Sequence, residues 1–212
     1  MNARPLYITL ETERLFLRPL TANDLEFVFR HFSDPAIKRY LFDDDPVTTR
    51  EQAQAIIDFY LSPVSKPYNR WVITRKSDGC ASGTCGYHKW QRQHQRAEIG
   101  YDLEKAAWRP GYMTEALRVV LQHGFEQMGL NRVEALVYPE NAASVRVLEH
   151  LGFQKEGLLR QYFRQGTLYY DLECCILGFQ TLHKQEKRQI YTVFVTYSCK
   201  PSTFLHNFTT CN

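Results

Sequence analysis

Hydrophobic positions change period along the chain, and the changes mark out the elements. Glu13 to Leu20 reads as a strand. Thr21-Ala-Asn-Asp24 has the form of a capping box and predicts a helix to about Phe32, which Asp34-Pro35 breaks. Thr49-Arg-Glu-Gln52 repeats that cap logic and predicts a second helix to about Leu61, followed by a loop over Ser62 to Asn69. Arg70 to Arg75 and Thr84 to Trp90 read as strands around the turn Ser77-Asp-Gly79. A polar tip, Gln91 to Gln95, leads into a strand from Ala97 to Leu103. Met113, Leu117, Val120, Leu121 and Phe125 then fall on one face of a helix. The run Val133 to Tyr138 reads as a strand, and Val145, Leu148 and Leu151 recur at helical spacing between an Asn141 N-cap and a Gly152 stop. Two last strands, Phe153 to Gln165 and Thr167 to Phe179, flank Gln165-Gly166. The order predicts an α+β fold with a mixed, mostly antiparallel sheet flanked by helices.

A chain of 212 residues, 44% of them hydrophobic, is long enough for one domain with a real core. Net charge is +3, too mild to argue for a nucleic-acid or membrane partner, and no segment approaches a membrane span. The expectation is a cytoplasmic protein with reduced thiols. Its six cysteines contain no paired CxxC set, so no metal is expected. The domain is expected over 8–180, with 181–212 as an extension. That extension carries the strand-like run Ile190 to Tyr197. Its role stays open between a loose terminus and a strand that covers an edge or builds a homodimer.

Candidate chemistry sits at two turns. In Trp108-Arg-Pro-Gly-Tyr-Met-Thr-Glu-Ala-Leu117 a strand leads through a tight turn into a helix start, a geometry that points unpaired N–H groups at an anion such as a phosphate. The second turn, Asn141-Ala-Ala-Ser144, opens the short helix before Leu151-Gly-Phe153. These segments together resemble the acetyl-CoA signature of the GNAT N-acetyltransferase superfamily. With Ala97-Glu-Ile-Gly-Tyr101, Glu11 to Leu20 followed by Asp24, and Gly157-Leu-Leu-Arg160 through Tyr170-Asp171, they look most like its RimJ/RimL-like branch, which acetylates ribosomal-protein N-termini. The resemblance runs from about Ile8 to Phe179.

The resemblance implies a GNAT-like sheet with splayed central strands, acetyl-CoA as co-substrate without a metal, and a primary amine as acceptor. Arg109, Gly111, Tyr112, Met113 and Thr114 would hold the pyrophosphate. Tyr101, Asp102 and Leu103 would meet the cofactor too, with backbone N–H groups near Asp102 and Leu103 polarising the thioester carbonyl. Asn141 would hold the pantetheine arm, and Ser144 the departing sulfur. Many superfamily members carry a tyrosine acid where this chain has Leu148, which leaves Ser144 as the acid. Glu98 is the best carboxylate for the base, with Tyr101, Tyr162 and Asp171 as other candidates; Phe163 stands where some relatives have a carboxylate. His88, His94, His123 and His150 are expected at the surface or as caps, and Trp71, Trp90 and Trp108 in the core or lining the slot. Arg30, His31, Lys38 and Arg39 would add positive charge to the acceptor cleft, and Asp43-Asp44-Asp45 an acidic cluster. The alternative to an enzyme is a catalytically silent acyl-CoA-binding module.

Overall fold

Leu15 and Leu17 are fully buried while Phe16 between them is 40% exposed, the alternation of a strand with one covered face. A computed structural model describes residues 8–41, 46–62 and 68–180. Its eight-stranded sheet runs β1 (Leu10–Glu11), β2 (Leu15–Pro19), β3 (Trp71–Arg75), β4 (Ala81–Gln91), β5 (Arg96–Leu103), β6 (Arg132–Val137), β8 (Leu168–Gly178) and β7 (Gln154–Gln165). All neighbours are antiparallel except β5 and β6. Those two pair in parallel only from Arg96–Arg132 to Glu98–Glu134. The ladder stops there although β5 continues to Leu103, so the sheet splays in its middle.

The helices are α1 (Leu25–Ser33), α2 (Pro35–Lys38), α3 (Arg50–Leu61), α4 (Tyr112–Glu126) and α5 (Ala142–His150). Both expected capping boxes form, Thr21 with Asp24 and Thr49 with Gln52. Asp34 ends α1 and then caps α2, a helix the sequence reading did not separate, by accepting the Ala36 N–H. Gly152, at φ +83°, follows α5 as expected. On one face of the sheet the α4 stripe (Met113, Leu117, Val120, Leu121) packs on Leu15, Ile73, Tyr87 and Ile99. On the other, Val28 and Phe32 of α1 and Ile57 of α3 pack with Val72. Among the described residues no helix is long and apolar enough to cross a membrane. Asp43-Asp44-Asp45 and the extension 181–212 lie outside the described residues.

Two histidines correct the sequence reading. His123 is buried in α4, its ring edge-on to Trp71 at 5.7 Å between centroids, because it flanks the apolar stripe. His88 is half-buried, with Arg70 Nη2 3.3 Å from its Nε2. Burial, and then the Arg70 charge, push it down to about 3. Trp71 and Trp90 are core residues, whereas Trp108 is 47% exposed.

Candidate active site

The turn before α4 has the form an anion requires. Gly111 is the N-cap at φ +84° and supplies no capping side chain, so the first-turn amides of Tyr112, Met113 and Thr114 remain open to a ligand. Arg109 also holds a left-handed φ of +81°, a strained conformation for a residue with a Cβ. The indole Nε1 of Trp108 donates to the Leu103 carbonyl at 2.7 Å and ties the turn to the end of β5. From β2's side, Arg14 and Thr12 bind the Glu115 carboxylate at 2.6 and 2.5 Å. Arg14 also lies over the Tyr112 ring, 4.8 Å from its centroid. A Cβ built on Gly111 would meet only Arg14 Nη2, at 3.8 Å, so the space above the turn is open. The residues present fit the pyrophosphate of acetyl-CoA. Met113 fits through its amide alone, because its side chain is 7% exposed and belongs to the core.

The splay itself holds a hydrogen-bonded pair. Asn141 caps α5 by accepting the Ser144 N–H at 3.2 Å, and so fixes where Ser144 stands. The Tyr101 hydroxyl lies 2.6 Å from Ser144 Oγ and 3.4 Å from the Ser144 carbonyl. Burial pushes the Tyr101 phenol up, so it keeps its proton and serves as a donor. Leu148, where the usual tyrosine acid would be, is buried and packed in the core.

Backbone alternation separates the amides of β5. Glu104 donates its N–H to the Ser82 carbonyl at 2.8 Å, and Thr84–Asp102 is the next equivalent pair of that ladder. The amides of Asp102 and Glu104 therefore face β4, and those of Tyr101 and Leu103 face the splay. Asp102 is thus misplaced as a cofactor ligand, whereas Leu103 and Tyr101 present their N–H groups to the slot.

The Asp102 side chain enters the α1 face. Its carboxylate meets His31 Nε2 at 2.5 Å, Arg70 at 3.2 Å, and the Thr84 hydroxyl and amide at 2.7 and 2.9 Å. Burial raises such a carboxyl, but His31, Arg70 and Thr84 together bring it below its ordinary value. No sequence pattern links these residues, and His31 stands here buried against Asp102. Glu98 points to this face as well, and Lys89 holds its carboxylate at 3.0 Å. Tyr162 is 54% exposed on β7, and Asp171 accepts the Gln161 N–H at a bulge of that strand.

The profile of the GNAT acetyltransferase domain matches residues 14–154. YoaA, an uncharacterized N-acetyltransferase of Bacillus subtilis, is 38% identical over 78% of this chain and 94% of its own. The spermidine N(1)-acetyltransferase of Escherichia coli is 26% identical over 78% of this chain and 87% of its own. The solved spermidine N-acetyltransferase of Vibrio cholerae, in complex with CoA and spermine, shares the fold with a TM-score of 0.72 at 20% identity, covering 81% of this chain and 99% of that one. The chain belongs to the GNAT acetyltransferase family. It is an N-acetyltransferase, of a family that uses acetyl-CoA.

Proposed function

We propose that the chain moves the acetyl group of acetyl-CoA directly to a primary amine within a ternary complex. The observation that carries this reading is the Tyr101–Ser144 hydrogen bond, placed where β5 and β6 part. The bound thioester supplies an activated acetyl group. Around it the Tyr112, Met113 and Thr114 amides and Arg109 hold phosphate oxygens, and Asn141 holds the pantetheine arm. The Leu103 and Tyr101 amides face the carbonyl oxygen and stabilise negative charge there. Ser144 would give its proton to the departing sulfur while the Tyr101 hydroxyl, 2.6 Å away, hydrogen-bonds the Ser144 oxygen, and Ser144 takes a proton back from solvent once the free thiol leaves.

The acceptor is a primary amine, either a small polyamine-like molecule or the N-terminus of a protein, as in the RimJ/RimL-like branch. A spermidine acetyltransferase among the relatives supports the first and the resemblance of the signature segments supports the second. Thiol release from acetyl-CoA, measured against polyamines, aminoglycosides, amino acids and short peptides with free N-termini, tests the reading. Turnover with one class of amine is expected. Acetyl-CoA binding with no turnover on any amine would overturn it.

A further inference from the structure

The α1 face holds a second proton-handling group that the thiolate side does not use. His31 is fully buried between Phe27 and Phe32, with ring centroids 5.1 and 5.0 Å away. Its Nε2 is 2.5 Å from Asp102 Oδ1, whereas its Nδ1 is buried and has no hydrogen-bond partner among the described residues. Nδ1 lies 3.8 Å from Glu104 Oε1, too far for a hydrogen bond. His31 and Glu104 line an open concavity of about 520 Å³ together with Arg30, Asp34, Lys105 and Ala106. It sits where β5 ends, one residue past the Leu103 amide that faces the splay. Carboxylates (Asp34, Glu104) and cations (Arg30, Lys105) balance in it, and Arg30 spans to Glu104 at 3.0 Å.

We propose that this concavity takes the acceptor amine, and that His31, oriented by Asp102, is the base that receives its proton. The inference rests on the transfer reading above and adds the base and the amine site. An ionised Asp102 only accepts hydrogen bonds, so Nε2 carries a proton, and in the neutral imidazole that a base requires it is the Nδ1 lone pair that faces Glu104. A buried acceptor without a partner is costly, and an N–H donor satisfies it. A nitrogen about 2.8 Å from both Nδ1 and Glu104 Oε1 would stand to one side of the 3.8 Å line that joins them. In the transfer the nitrogen forms its bond to the acetyl carbon and gives one proton to Nδ1. The C–S bond breaks with its electrons on sulfur, and sulfur takes a proton from Ser144. His31⁺ then returns its proton to solvent past Glu104. The charges facing His31 are Asp102 on β5, Arg70 before β3, Glu104 and Lys105 after β5, and Arg30 and Asp34 at the end of α1. His88 lies beyond Arg70.

The test combines His31→Gln and Glu104→Gln with imidazole ¹⁵N NMR of the wild-type protein. His31→Gln should lower kcat/KM about 100-fold near neutral pH, and the deficit should shrink at high pH, where the amine is already free. The thermal shift with acetyl-CoA should not change. Glu104→Gln should raise KM for the amine more than it lowers kcat. In the wild-type NMR spectrum Nδ1 should read as unprotonated and move when amine is added to the CoA complex. Full turnover of His31→Gln with an unchanged pH profile would overturn the proposal, as would an Nδ1 signal that ignores the amine. Should His31→Gln fail to fold, the wild-type titration decides. Absence of any thiol release by wild type counts against the transfer reading, while the titration still reports on the amine site.

Discussion

Tyr101 and Asp102 are neighbours on β5 yet serve opposite faces of the sheet. Tyr101 is a neutral phenol bonded to one hydroxyl, on the side of α4 and α5. Asp102 is a buried charge held by an imidazole, a guanidinium and a hydroxyl, on the side of α1. The first pair is neutral at rest and holds its proton until the sulfur departs. The second keeps a charge in place and directs a histidine with it. Acetyl transfer needs one of each, an acid for the thiolate and a base for the amine. In the proposed transfer a single strand would separate them by alternation, so that the two groups would not neutralise each other.

Substitution of Asp102 should have the largest effect, because it strands its partners. Asp102→Ala takes the shared carboxylate away from the buried His31 and Arg70 and should cost about 3–5 kcal/mol of stability, read by denaturant unfolding. The Asp102 carboxyl sits below its unfolded value of about 3.9, so its contribution is complete above that pH and is lost as pH falls through the folded value. The acid limb of a stability–pH curve should therefore flatten in Asp102→Asn. The opposite face should tolerate change structurally but not functionally. Gly111→Val forces a branched side chain to φ +84° and over the open amides. The stabilisation by acetyl-CoA, about 2.7 kcal/mol at 100 times its dissociation constant, should disappear from the melting curve. Ser144→Ala should lower kcat about 100-fold, close to 2.7 kcal/mol, with little change in acetyl-CoA affinity, because its proton is needed mainly in the transition state. Equal losses in kcat and affinity would instead make Ser144 a binding residue. Glu98→Gln should have the smallest effect. It removes a pair with a half-exposed Lys89, worth under about 1 kcal/mol, and should leave the pH profile closer to wild type than His31→Gln does. A larger shift from Glu98→Gln than from His31→Gln would return the base to Glu98.

The turns at Gly111 and Asn141 were legible because their signals are local. Gly111 precedes its helix by one residue, and Asn141 caps an amide three residues on. The capping boxes at Thr21 and Thr49 were legible for the same reason. His31 and Asp102 are 71 residues apart, and His88 looked like a surface residue because its neighbours Lys89 and Gln91 are exposed. Nothing in a one-dimensional pattern reports that α1 crosses β5 at this height.

By itself the sequence determined the order of strands and helices, the open helix start at Gly111 and the seat of Ser144, since each depends on backbone propensities and hydrogen bonds within a few residues. Only the tertiary structure decided which side chains of β5 face which helix, that the Leu103 amide rather than the Asp102 amide meets the splay, and that a histidine on α1 finds a carboxylate beneath it. A strand sends successive residues to opposite faces, and what each one meets there is set by helices packed from remote parts of the chain.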